Sequence, residues 1–218
     1  MNIGEWLPRL WQASLTTVYM VGVSTLFTVV LGLPLGVLLI VTGENGLRAR
    51  PTLNKVLGFV VNLARSLPFI ILLVVLIPFT RALVGTSIGP TATIVPLTLA
   101  AVPFFARVVE NSLREVPRGL IEASQSMGSS DWQTVSKVLI PESLPSLILG
   151  IALTLISLVG YSAMAGAVGG GGLGDLAIRY GYQRYETEVM IVTVVLLLIL
   201  VQGVQLLGDR LAAKVSKK

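Results

Sequence analysis

Long apolar runs separated by short charged stretches organise this chain. No charged residue falls within residues 10–43, 82–106, 143–174 or 189–208. At about 1.5 Å per helical residue, each run can cross the ~30 Å hydrocarbon core of a bilayer. A fifth run, residues 66–80, is shorter and needs its flanks to complete a span. The pattern predicts transmembrane helices over residues 15–41, 56–79, 88–105, 144–168 and 189–207. The expected architecture is all-α and polytopic, with residues 1–218 forming one transmembrane domain.

Composition supports this reading, with 54% hydrophobic and 12% charged residues and a mean hydropathy of +0.85. A soluble surface carries about twice that charge density. Glu5 and Arg9 supply no basic leader before the first run, and the run outlasts the usual apolar segment of a signal peptide, so it is expected to stay in the membrane. Cys and His are both absent, which removes thiolate nucleophiles, imidazole bases and the usual zinc ligands.

The net charge of +5 is distributed by side, which fits membrane orientation better than nucleic-acid binding. With five spans, alternate loops collect Arg48, Arg50, Lys55, Arg107, Arg114, Arg118, Lys137, Arg210, Lys214, Lys217 and Lys218 on one side. Arg9, Arg81, Arg179 and Arg184 fall on the other. The positive-inside rule then places the N-terminus outside, and the C-terminus and the 107–142 loop in the cytoplasm.

Arg65 lies inside the second apolar segment. The eleven Leu, Ile, Val and Phe residues from Leu67 to Phe79 contribute on the order of −5 kcal/mol to insertion, against about +3 for a central Arg, so the segment still inserts. Arg65 either snorkels to the interface or makes a functional ion pair or substrate contact. Pro68, Pro78, Pro96 and Pro103 predict bends in the second and third spans, with a water-lined path as one use for them. Gly32 with Gly36, and Gly166 with Gly170, repeat at the four-residue spacing that lets membrane helices approach closely. No internal repeat is evident, and five helices are few for a pathway in one chain, so self-association is expected.

Gly169, Gly171 and Gly174 match a dinucleotide-binding spacing, but they follow a membrane helix and not a strand, and are expected to form a flexible external turn. No Gly-Lys dipeptide occurs, so the chain has no Walker loop and ATP must be bound by another chain. The carboxylate pairs Glu186/Glu188 and Glu110/Glu115 lie in loops or at helix ends among basic residues, where solvated charges are expected.

The 107–142 loop is patterned as a folded unit. Pro117 opens a helix, Leu120, Ile121, Ala123, Ser124 and Met127 form one stripe, and Gly128 is placed as its C-terminal cap. Ser130 with Gln133 has capping-box spacing, Trp132, Val135, Val138 and Leu139 give a second apolar face, and Pro141 breaks into the next span.

Within this unit Glu122, Ala123, Ser124, then Gly128, then Val138, Leu139, Ile140 and Pro141 resemble the EAA signature of permease subunits of bacterial binding-protein-dependent ABC importers. Ser124, Val138 and Ile140 depart from that signature but keep size or apolarity. Residues 65–69, 77–81, 84–89, 159–164 and 179–182, with the glycine turn, are most similar to the methionine importer permeases.

The resemblance implies a type I importer permease fold in the bacterial inner membrane, a homodimer, two cytoplasmic ATPase subunits that hold ATP and Mg, and an external binding protein. Such a chain is a transport subunit and not an enzyme, with no cofactor of its own. It implies that the loop docks in the ATPase, with Leu120, Ile121, Ala123 and Met127 as apolar contacts and Glu122 fixing orientation; Ser124, Gly128 and Pro141 complete the signature. Tyr161, Ser162 and Met164, among small neighbours near the end of the fourth span, are candidates for a gate that a flexible Met could plug, with core packing as the alternative. Arg65 and Pro68 are candidate pathway residues.

Overall fold

The computed structural model describes residues 3–216, and every regular element among them is helical. Lys217 and Lys218, assigned above to the basic side, lie outside the described residues. The first span is α1, Ile3–Thr42. Its inward stripe recurs at helical spacing through Leu10, Ala13, Thr17, Met20, Ser24, Thr28 and Leu39, while Leu26, Val30, Leu31 and Leu38 face outward. Apolar side chains facing outward along a 40-residue helix suit hydrocarbon and not water.

The partner of α1 is α5, Pro90–Arg114, the most enclosed span. The two meet where α1 offers no side chain: a Cβ at Gly32 would stand 2.9 Å from Cδ1 of Phe105, and one at Gly36 would stand 2.5 Å from Cβ of Val109. The four-residue glycine spacing is therefore a helix seam. Pro96 and Pro103 are both buried in α5, which continues through them as one helix, so the bends expected there do not break the span.

The second predicted span is not one helix. The α2 helix, Pro51–Ser66, stops before Pro68, α3, Phe69–Val75, restarts after it, and the two meet at 100°. Pro68 supplies no N–H and biases Leu67 to the extended backbone seen there, ψ 126°. The α4 helix, Ile77–Val84, begins with Pro78 in its first turn. Among the described residues four helices are thus long and apolar enough to cross a membrane, and the bent pair makes a fifth crossing if counted as one.

Beyond α5, the chain forms α6, Arg118–Ser126, then α7, Asp131–Thr134, a π-helical segment over Val135–Leu139, and α8, Ile140–Glu142. The α9 span, Leu144–Gly166, follows after Ser143. The segment expected to begin as a loop at residue 107 therefore begins as the last two turns of α5. Pro141 sits in the first turn of α8 and does not break the helical path.

The glycine segment forms the expected turn at Gly169 and Gly171, both at positive φ, but Gly174 lies in a short helix. That helix is α10, Gly172–Leu176, followed by a π-helical segment over Ala177–Tyr182 and then the last span, α11, Thr187–Val215. Gly172, Leu173 and Gly174 are buried, and the Leu173 N–H donates to Thr17 Oγ1 at 2.9 Å. Gly166 packs against the backbone of Gly174 and Asp175. A side chain at Gly166 or Gly174 would collide with backbone, so these two glycines serve tight packing.

Charges far apart in sequence gather at two ends. Arg9 and Arg184 both stand over the Tyr180 ring, at 5.9 and 4.7 Å, while Arg48 pairs with Asp131 at 2.6 Å at the arm end. Arg9 and Arg184, expected on one side, are thus close together.

The seam makes a prediction. Gly36→Leu should destabilise the folded chain by at least ~1–3 kcal/mol, the scale of an overpacked interface, whereas Gly22→Leu, with nothing within 4 Å of its Cβ position, should be neutral. Thermal unfolding in detergent compares them.

Candidate functional site

The structure converts the 107–142 segment into a braced arm. Pro117 precedes α6, whose C-terminus is closed by Gly128 at φ +81°, with the Gly128 N–H donating to the Gln125 carbonyl at 2.9 Å. Left-handed backbone favours glycine there. The chain restarts at Ser130, whose Oγ accepts from the Gln133 N–H at 3.3 Å while Gln133 Oε1 accepts from the Ser130 N–H at 2.9 Å. Both capping signals expected from the sequence are thus realised.

The stripe on α6 divides between two faces. Ile121 packs inward on the cluster of Leu113, Val116, Val135 and Leu139. Ser124 Oγ lies 3.3 Å from Thr134 Oγ1, which is fully buried. Leu120, Glu122, Ala123 and Met127 face away from the body, Met127 at 86% exposure. Ile121, grouped above with the partner contacts, is therefore a brace for α6. On the second half of the arm Val135 and Leu139 are buried as expected, but Trp132 is 74% exposed and is not part of that inner face.

The base of the arm holds a charge network that the sequence reading did not single out. Glu110 is 4% exposed, and its two carboxylate oxygens bind Arg107 Nη1 at 2.5 Å and Arg114 Nη2 at 2.6 Å. Arg107 Nη2 also donates to the Gly58 carbonyl and to Asn62 Oδ1, both at 3.1 Å, tying α2 to α5. The solvated pair expected at Glu110 and Glu115 is replaced by a buried carboxylate and, 31 residues before its partner, a Glu115 that accepts from Ser146 Oγ at 2.7 Å. The readable signal was the i, i+3 and i, i+4 spacing of opposite charges on one helix face.

A second cluster gathers the pathway candidates at the α2–α3 bend. Phe69, next to Pro68, stacks on Tyr161 of α9 at 4.8 Å with rings 7° from parallel. Arg65 and Tyr161 line the same cavity of about 110 Å³, with Phe104 and Ala100 on its wall. The Arg65 guanidinium stands 6.0 Å from the Phe104 ring centroid. Met164 is half-exposed on the outer side of α9, whereas Ser162 turns inward and donates to the Val159 carbonyl at 2.8 Å. Tyr161, Arg65 and the Pro68 bend are thus brought together, Met164 lies one turn further along, and Ser162 belongs to the core. Among the described residues no group of three or more acidic, His or Cys side chains is arranged to hold a metal ion.

The described residues form a multi-pass helical body with a capped helical arm projecting from it. Residues 29–217 match the family of binding-protein-dependent transport system inner membrane components, and the chain belongs to that family: it is a multi-pass inner-membrane permease subunit, not an enzyme. It is 52% identical over 218 residues to the probable D-methionine transport system permease protein MetI of Vibrio cholerae, covering 100% of this chain and 95% of that protein. It is 46% identical over 212 residues to the methionine import system permease protein MetP of Bacillus subtilis, covering 97% and 96%. A solved chain from the inward-facing MetNI methionine ABC transporter superposes with a TM-score of 0.96, at 52% identity and full coverage of both chains.

Glu110→Gln leaves the partly buried Arg107 against a neutral partner, and breaking a buried ion pair costs up to about 3–5 kcal/mol. The variant should lose stability on that scale and expose the arm to proteolysis; an unchanged melting temperature and digestion pattern would show that the network does not anchor it.

Proposed function

We propose that this chain is the permease subunit of an ATP-driven importer that moves methionine into the cytoplasm by alternating access. It works as a homodimer with two cytoplasmic ATPase subunits, which bind ATP and Mg, and an external binding protein. The N-terminus lies outside and the arm, residues 107–142 with the end of α5, lies in the cytoplasm, where its α6 docks into the ATPase. The observation that carries this reading is the outer face of α6: Leu120, Ala123 and Met127 exposed one turn apart beside Glu122, on a helix whose other side is fastened by Ile121 and Ser124. The methionine assignment rests on the functions in the names of full-length relatives at 52% and 46% identity.

The geometry supplies a route for coupling. Closure of the ATPase pair displaces α6. The Ser124–Thr134 contact and the apolar cluster pass that displacement to the 131–142 segment, which runs into α9 with only Ser143 between. At about 1.5 Å per residue, the 23 residues of α9 carry it roughly 35 Å across the bilayer. Tyr161 meets Phe69 and the Pro68 bend near that helix's far end, so a tilt of α9 moves the stacked pair and Met164 together. On this reading Tyr161, Met164, Arg65 and Pro68 belong to the pathway and gate.

Ala123→Asp places a charge in the docking face without touching the inner brace. It should leave insertion and melting temperature unchanged, reduce ATPase co-purification, and lower coupled uptake of labelled methionine about tenfold or more, the scale of a lost interface hot spot. Normal uptake would remove the docking assignment. For substrate, excess unlabelled methionine should abolish uptake by the reconstituted complex while other amino acids do not. Met164→Ala should raise the reactivity of an engineered thiol at Gly160 and leak substrate without ATP; neither change would remove Met164 from the gate.

A further inference from the structure

The last turns of α1 border a groove of about 650 Å³ whose walls are Leu33, Val37 and Leu38 on one side and Trp132, Val135 and Ile140 of the arm on the other. Its walls are almost wholly apolar, yet Arg48 and Arg50 stand at its rim. Depth follows from the sequence of α1. No charge lies between Arg9 and Glu44, and Glu44, Arg48 and Arg50 then follow within a few residues. The membrane–water boundary therefore passes close to the end of α1, with Leu33 and Val37 on the hydrocarbon side and the arginines at headgroup level. Trp132, largely exposed, has the place of an interfacial aromatic.

We propose that this groove holds an anionic phospholipid of the leaflet beside the arm, one acyl chain lying between α1 and the arm and the phosphate-bearing headgroup between Arg48 and Arg50. Three observations select this occupant. The groove borders the outward face of α1, where Val30, Leu31 and Leu38 are exposed, so an acyl chain enters without leaving hydrocarbon. Arg50 is exposed and has no ion-pair partner among the described residues. Arg48 is 71% exposed and meets Asp131, also at the groove, through its Nε at 2.6 Å, which leaves much of its guanidinium open to a headgroup. Basic side chains over an apolar cleft are complementary to a lipid with a negative headgroup. The site requires only that the chain spans a membrane, and does not depend on the transported substrate.

The test is native mass spectrometry of the purified oligomeric protein from nanodiscs of equal phosphatidylglycerol and phosphatidylcholine content. Phosphatidylglycerol should be retained in preference. Arg50→Gln, which leaves the Arg48–Asp131 pair intact, should reduce that preference about fivefold, the effect of one basic residue at a membrane surface. Leu38→Trp, which fills the groove and alters no charge, should reduce retention of both lipids. Melting temperatures near wild type identify both variants as folded. Equal retention of the two lipids, or an unaltered preference in Arg50→Gln, overturns the proposal. A Leu38→Cys thiol that cross-links to an associated protein subunit overturns it as well, because the groove would then be a protein interface.

Discussion

Under the coupling proposed for this chain, a surface helix moves a membrane span only if each joint between them is stiffer than the partner's push, and the last turns of α5 would supply that stiffness. Those turns are the continuation of a span, so no hinge separates the bilayer from the arm's base. Glu110 is held there by two arginines, one of which reaches α2 through Gly58 and Asn62. A buried ion network adds little net stability over a well-packed apolar alternative, but it is intolerant of partial disassembly. Such intolerance suits a part that must move as a unit. The apolar cluster of Phe105, Val109, Leu113, Val135, Leu139 and Leu147 completes the joint by packing the arm onto the same helix.

The α1–α5 seam makes this possible. With glycine at positions 32 and 36 the two backbones approach closely, giving α5 a long rigid support within the bilayer. In hydrocarbon there is no hydrophobic drive between helices, so close van der Waals contact has to supply the association. The same logic explains the buried glycines around α10, where Gly166 and Gly174 bring two backbone segments together at the opposite end of the protein.

The arm's caps were legible because they are local: a Ser three residues before a Gln, and a Gly at the end of an apolar stripe, specify backbone hydrogen bonds within one turn. Membrane spans were legible from charge-free length. What could not be read depended on neighbours. Ile121 and Leu120 are adjacent and equally apolar, and only the position of Val135 and Leu139 turns one of them inward and leaves the other exposed. Pro68 announced a bend, but its 100° angle comes from α3 packing on α5 and α9. Glu110 looked like a surface charge because burial is a property of the assembled helices. The π-helical turn at 135–139 holds neither proline nor glycine, and the lone Gly181 in the turn at 177–182 does not by itself mark a departure from ordinary helix.

The groove at the end of α1 and the arm share residues, and this has a thermodynamic consequence. Asp131 is both the first residue of α7 and the partner of Arg48, while Trp132 and Val135 form part of the groove wall. A lipid that holds Arg48 and Arg50 while packing on Trp132 contacts both α1 and the arm, so its affinity depends on how those two are disposed. If the arm shifts against α1 during a transport cycle, the groove changes shape, and linkage then requires that lipid occupancy bias the arm by the same free energy with which arm position biases occupancy. The Arg48–Asp131 pair alone, at exposed side chains, is worth less than about 1 kcal/mol and cannot hold the arm in one place. An acyl chain in the proposed site would fill the groove and add contact area that the ion pair lacks, so the surrounding membrane would help set how the arm lies against α1.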